Sequence, residues 1–203
     1  MKKIVITGVD GAGKTTQVNL LKKVLPNVNT MSVWDIVANP EYKAWSIYNG
    51  FPPEVEKYVM QLPPVSRTFF IFHAFDFAYA KAMQKKADFL ILDGYWYKYL
   101  SVEMAMGTDE DFVDFIFNRY EEPDICFYLD LPINKIHERK PVISQYESGT
   151  KEGIDYANFL KIQVEAKDLI ENMIPEDSYC INALKSVEEI HEEIMDKIAR
   201  NLL

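Results

Sequence analysis

The stretch Gly8-Val9-Asp10-Gly11-Ala12-Gly13-Lys14-Thr15 constrains this chain more than any other. It fits the phosphate-loop pattern G-x-x-x-x-G-K-S/T at every fixed position. Its flanks agree with that pattern. The β-branched run Ile4 to Ile6 precedes it, and Gln17 to Leu25 follows with helical spacing. Strand, glycine turn and helix therefore come in the order that phosphate binding requires. Gly8, Gly11 and Gly13 let the backbone turn so that consecutive N–H groups face one concavity. The helix behind adds its positive N-terminal end. In such a loop Lys14 reaches the β- and γ-phosphates, and the Thr15 hydroxyl holds Mg²⁺. A glycine-rich hairpin is the plain alternative, but it would not need all the fixed positions.

Composition narrows the class. The chain has 203 residues, enough for one domain with a sizeable core. The net charge of -9 argues against a nucleic-acid partner, yet it leaves room for a site made of backbone dipoles and one lysine. Cys126 and Cys180 lack metal-ligand spacing and read as buried strand residues. No apolar run reaches membrane-spanning length, and the first strand begins almost at once, so no membrane partner and a cytoplasmic location are expected. Only four arginines occur: Arg67, Arg119, Arg139 and Arg200.

Along the chain, apolar strand runs alternate with helical patterns. Strands are expected at Ile4–Ile6, Val28–Trp34, Phe89–Asp93, Ile125–Asp130 and Ser178–Ile181, with a turn and short helix from Asn39 between the second and third. A further short helix spans 54–62, and a long aromatic helix 65–86 should be buried on several sides. Thr108 is expected to cap a helix over 109–120, and Pro132 to begin one ending near Arg139. Residues 140–153 read as a lid loop, 155–173 as an amphipathic helix, and Ser186 with Glu189 as a capping box. The expected fold is α/β: a three-layer P-loop kinase domain over 1–203, its five-stranded parallel sheet covered by helices on both faces. Asp93 and Asp130 then end their strands at the carboxyl edge, where the loop also lies.

Three segments resemble the thymidylate kinase group of nucleoside monophosphate kinases. Val9 to Gln17 follows that group's loop, including the acid at Asp10; Leu92-Asp93-Gly94-Tyr95 is similar to its Asp-Arg-Tyr signature; Pro123 to Pro132, with Glu138-Arg139 after it, is similar to its Pro-Asp and Leu-Asp stretch. The resemblance implies transfer of a phosphoryl group from ATP, with Mg²⁺, to a small nucleotide acceptor, dTMP by default, and admits a homodimer. It implies that Asp10 contacts an acceptor sugar hydroxyl and that Phe72 stacks on the base. It also implies that a basic lid, Arg139, Lys140 and Lys151, closes on the phosphates. The departures fall on the acceptor side. Gly94 and Asp76 (Phe77 if the alignment is slid by one residue) stand where the group has arginines, and a bidentate phosphate clamp cannot survive at Gly94. Arg67 is the candidate substitute.

The expected reacting set is therefore Lys14, Asp10, Asp93 and Arg139. The donor nucleotide is expected on Gly8, Asp10, Gly11, Ala12, Gly13, Lys14, Thr15, Thr16 and Lys140, and Mg²⁺ on Thr15 and Asp93. The acceptor is expected near Arg67, Phe72, Asp76 and Tyr95. Asp93 could also accept the attacking hydroxyl's proton or simply cap the next helix, and Tyr95, Trp96, Tyr97 and Tyr99 could sandwich a base or wall the core. His73 reads as core or pocket wall. Two alternatives remain: a kinase of another small acceptor, such as a nucleoside, and a non-catalytic nucleotide binder. A GTPase-like switch is disfavoured, because no Asn-Lys-x-Asp occurs.

Overall fold

The computed structural model describes residues 1–33, 53–117 and 119–203. The expected turn and short helix from Asn39, and the end of the second strand at Trp34, lie outside these residues. Five parallel strands form one sheet in the order β2-β3-β1-β4-β5. They are β1 (Lys2–Thr7), β2 (Val28–Met31), β3 (Phe89–Asp93), β4 (Ile125–Asp130) and β5 (Tyr179–Asn182). The side chains of β1, β3 and β4 alternate between two buried faces, which is why these runs read as continuously apolar. Val5, Leu90, Leu92 and Cys126 enter one core. Ile4, Ile6, Ile91, Phe127 and Leu129 enter the other.

The second core is closed by α1 (Lys14–Val24) and α9 (Val187–Asn201), whose Ile190, Ile194 and Ile198 are buried. Ser186 and Glu189 form the expected capping box on α9. The first core is closed by α2 (Pro53–Gln61), α3 (Pro64–Met83), α4 (Tyr95–Ala105) and α5 (Glu110–Phe117). Phe75 and Phe70 of α3 are buried, each contributing about 1.5–3 kcal/mol. Phe69 and His73 point to solvent, so the helix is not covered all round and His73 is not a core residue. Asp109, not Thr108, caps α5: its Oδ1 accepts from the Asp111 N–H at 3.0 Å, while the Thr108 hydroxyl meets that of Thr68. Cys180 is exposed, since β5 is the edge strand; Cys126 is buried as expected.

After β4, Pro132 precedes a single 3₁₀ turn (Ile133–Lys135) and then α6 (Ile136–Arg139). The segment expected as an irregular lid contains α7 (Gln145–Ser148), capped by a Ser144–Glu147 box and ended by Gly149 in the left-handed region. It packs against α2 and α8 (Tyr156–Met173), with Gln145 N–H donating to Glu56 and Asn158 Nδ2 to the Ser148 carbonyl. Among the described residues, no helix is long and apolar enough to cross a membrane.

Candidate active site

The loop between β1 and α1 sits at the carboxyl end of the central strand, between the ends of β3 and β4. Register places Ile6 beside Asp93 and Thr7 beside Tyr128, so the β3 acid falls next to the loop. Gly8 is required at its place: a Cβ there would stand 2.6 Å from the Leu129 carbonyl oxygen. Gly13, with φ +97°, hands the chain into α1, whose first N–H groups have no acceptor four residues back. Buried Ala12 seats the loop on the core. The buried Gln163 of α8 clamps its other side, accepting from the Asp10 N–H at 2.9 Å and donating to Asp10 Oδ2 at 3.4 Å.

Two acid–base clusters meet in this loop. Thr15 Oγ1 donates to Asp93 Oδ2 at 2.6 Å, so the loop threonine and the β3 acid present oxygens side by side. Lys14 folds over the turn, donating to the Val9 carbonyl at 2.8 Å, with Asp10 Oδ1 3.9 Å away. The ammonium of Lys98, from α4, lies 2.9 Å from that same Asp10 oxygen. Burial alone would raise the Asp10 carboxyl, but Lys98, Lys14 and Lys140 together hold it well below the usual range. Burial pushes the Lys14 ammonium down to about 8, against the pull of Asp10. Lys140 pairs with Glu147 at 2.6 Å and reaches this cluster through its charge on Asp10. Thr16 is exposed at the start of α1.

The structure brings Gly8, Asp10, Gly11, Ala12, Gly13, Lys14, Thr15, Thr16, Asp93 and Lys140 to one sheet edge. It treats Arg139 differently. That side chain borders Gly11, its Cβ 3.5 Å from where a Gly11 Cβ would be, and its guanidinium donates to the Ala183 carbonyl at 2.7 Å. Arg139 thus faces the β5–α9 connection, at the outer side of the loop. Lys151 is exposed.

The expected acceptor residues are corrected more strongly. Arg67 is buried, its Nε 2.8 Å from Glu103 Oε2 and its Nη2 donating to the Met106 carbonyl at 3.0 Å. It serves a buried carboxylate, and does not replace the missing phosphate clamp. Tyr95 is fully buried, its hydroxyl on the Glu121 carbonyl, so it walls the core. Phe72 is buried too, its ring against Phe75 and Tyr120. Asp76 is exposed and accepts from the Tyr120 hydroxyl at 2.6 Å, away from Lys14 and Asp93.

Two functional neighbours escaped the sequence reading. Lys98 is the one cation in the otherwise apolar run Tyr95 to Leu100, and that isolation was its signal. Gln163 carried none, because a glutamine on an amphipathic helix resembles any surface residue until the helix is placed.

A phosphate loop over the central strand of this sheet, with a carboxylate from the neighbouring strand against its threonine, defines a P-loop nucleotide kinase, a phosphotransferase. Solved structures share this fold. A thymidylate kinase from Candida albicans superposes with a TM-score of 0.70 at 18% identity, covering 98% of this chain and 92% of that one. A deoxyadenosine kinase from M. mycoides superposes at 0.66 and 18% identity, covering 98% and 99%. Compared with models of protein families, the chain matches none. Individual relatives are more informative. The chain is 31% identical over 199 residues to a probable thymidylate kinase of Methanocaldococcus jannaschii, covering 95% of this chain and 93% of that protein. It is 26% identical over 214 residues to probable thymidylate kinase 1 of Saccharolobus solfataricus, covering 99% and 98%. The chain belongs to the thymidylate kinase family.

Proposed function

We propose that this protein transfers the γ-phosphoryl group of ATP to the 5′-phosphate of a nucleoside monophosphate, with dTMP as the default acceptor, in the cytoplasm. The observation that carries this reading is the pairing of Thr15 with Asp93 at 2.6 Å, beside a lysine and an aspartate in one glycine loop. Phosphoryl transfer asks a protein mainly for positioning and charge neutralisation, and this edge supplies both.

On binding ATP, Lys14 leaves the Val9 carbonyl for the β- and γ-phosphate oxygens. The first N–H groups of α1 and the loop amides hold the remaining phosphate charge. The Thr15 hydroxyl and the Asp93 carboxylate are hard oxygen donors, and the few protein oxygens here fit Mg²⁺, which usually keeps waters and substrate phosphates as its other ligands. When bound, that ion neutralises charge on the β- and γ-oxygens. Asp10, which the family resemblance puts on an acceptor hydroxyl, has its charge offset by Lys14 and Lys98. A phosphate oxygen of the acceptor then attacks the γ-phosphorus, the bond to the β-bridging oxygen breaks, and ADP and a nucleoside diphosphate leave. Lys140 brings the 140–153 segment to bear on this charge, its ammonium paired with Glu147 of α7.

A second reading rests on Gly94 and the outward Asp76: an acceptor other than dTMP. Coupled ADP-release kinetics over nucleosides and nucleoside monophosphates separate the two. Fastest turnover with dTMP supports the default, and fastest turnover with another monophosphate supports the second. Binding of ATP without transfer to any acceptor refutes both.

A further inference from the structure

The acceptor side lacks an arginine at Gly94, and the structure shows what stands there instead. Gly94 has φ +88° and Tyr95 after it φ +48°, two successive residues in the left-handed region. A side chain at 94 would be strained, because a non-glycine residue rarely adopts that conformation. It would also meet Lys98. A Cβ built on Gly94 lies 3.5 Å from the Lys98 Cβ and 3.8 Å from its Cγ. The stem of Lys98, one helical turn on, therefore starts in contact with the place where a side chain at 94 would begin.

From there Lys98 runs to the phosphate loop, where its ammonium meets Asp10 Oδ1 at 2.9 Å while its side chain keeps only 15% of its exposure. Nearby charges sort themselves. Asp93 is engaged with Thr15, and Glu147 takes Lys140. Asp10 lies against both Lys14 and Lys98; Lys14 also feels the Asp93 carboxylate, whereas the carboxylate paired with Lys98 is Asp10. Lys14 belongs to the donor side of the loop. Lys98 comes from the helix that follows β3 and meets the same Asp10 oxygen. A second anion placed beside Lys98 completes the pairing.

We propose that Lys98 binds the phosphate of the acceptor, supplying from α4 the positive charge that Gly94 cannot. This rests on the reading that the acceptor is a nucleoside monophosphate. Asp10 then holds the ammonium extended toward the transferring group. A lysine delivers a point charge and not a fixed fork, so it constrains the acceptor phosphate less tightly than a guanidinium would.

The test compares wild type, Lys98→Gln and Lys98→Arg. Gln keeps a donor for Asp10, so the loop is retained while the charge is lost. For the monophosphate that wild type turns over fastest, and for its parent nucleoside, dissociation constants are measured by calorimetry alongside KM for ATP. Lys98→Gln should weaken the monophosphate roughly 10- to 100-fold, the loss of one charged hydrogen bond, and leave the nucleoside and the ATP KM within about twofold. Lys98→Arg should restore most of the loss. Equal weakening of monophosphate and nucleoside, or no change in either, overturns the assignment of Lys98 while leaving the kinase reading intact. Wild-type turnover of nucleosides alone overturns both.

Discussion

Removing the Glu103 carboxylate exposes what holds the acceptor half of this fold together. Glu103 is completely buried on α4 and takes three donors: Arg67 Nε at 2.8 Å, Thr68 Oγ1 at 3.3 Å and the Tyr146 hydroxyl at 2.7 Å. These come from α3 and from α7, so one carboxylate ties two core helices to the segment carrying Lys140. In Glu103→Ala, the Arg67 guanidinium, 5% exposed, keeps its charge and loses its anion. Breaking a buried pair in this way costs about 3–5 kcal/mol. For a chain of 203 residues, about 2–4 °C of melting temperature per kcal/mol gives a fall of about 6–20 °C. Thermal unfolding by circular dichroism measures it, with Arg67→Met and the double variant Glu103→Ala/Arg67→Met completing a cycle. The double variant should be more stable than the two single losses predict, because no charge is left unpaired; a coupling of at least about 1 kcal/mol is expected. A single-variant loss below about 1 kcal/mol, or strict additivity, would refute the claim that this pair is buried and coupled.

Three further outcomes follow from the loop. Gly8→Ala drives a Cβ to 2.6 Å from the Leu129 carbonyl oxygen, so it should abolish ATP binding or prevent folding; normal ATP affinity by calorimetry would contradict the loop geometry. Asp93→Asn and Thr15→Ala should each raise the Mg²⁺ concentration needed for half-maximal rate by about tenfold or more, whereas an unchanged Mg²⁺ dependence would remove both from the metal site. Lys14 titrates near pH 8, charged below and neutral above, so kcat/KM for ATP should fall as pH rises through about 8. Lys98→Gln removes a like charge beside Lys14 and should move that basic limb upward; a limb that stays in place would contradict their proximity.

Much of the fold was legible because strand runs and helix periods agree with a single sheet topology. The Ile4–Ile6 run, the loop and the acid at Asp93 were readable together, since register alone brings a strand-end acid beside its neighbour's loop. The Ser186–Glu189 box was equally local. What failed was long-range. Arg67 looked like a free cation because its partner, Glu103, lies 36 positions away on another helix. Tyr95, open between a base sandwich and a core wall in the sequence, walls the core; Phe72, which the resemblance puts on the base, is buried as well. Lys98 replaces nothing in linear order. It matters because one helical turn sets its stem in contact with the place where a side chain at 94 would begin. The 140–153 segment hid a capped helix of four residues, too short for periodicity to reveal.

The central claim is phosphoryl transfer to a nucleoside monophosphate through this loop. The most direct measurement is ³¹P NMR of wild type and Lys14→Ala incubated with ATP, Mg²⁺ and dTMP. Wild type should yield ADP and dTDP in equal amounts, and Lys14→Ala should slow their appearance by at least about 100-fold. ADP released with free phosphate and no diphosphate from dTMP or any other nucleoside monophosphate, or equal rates from the two proteins, would contradict the account.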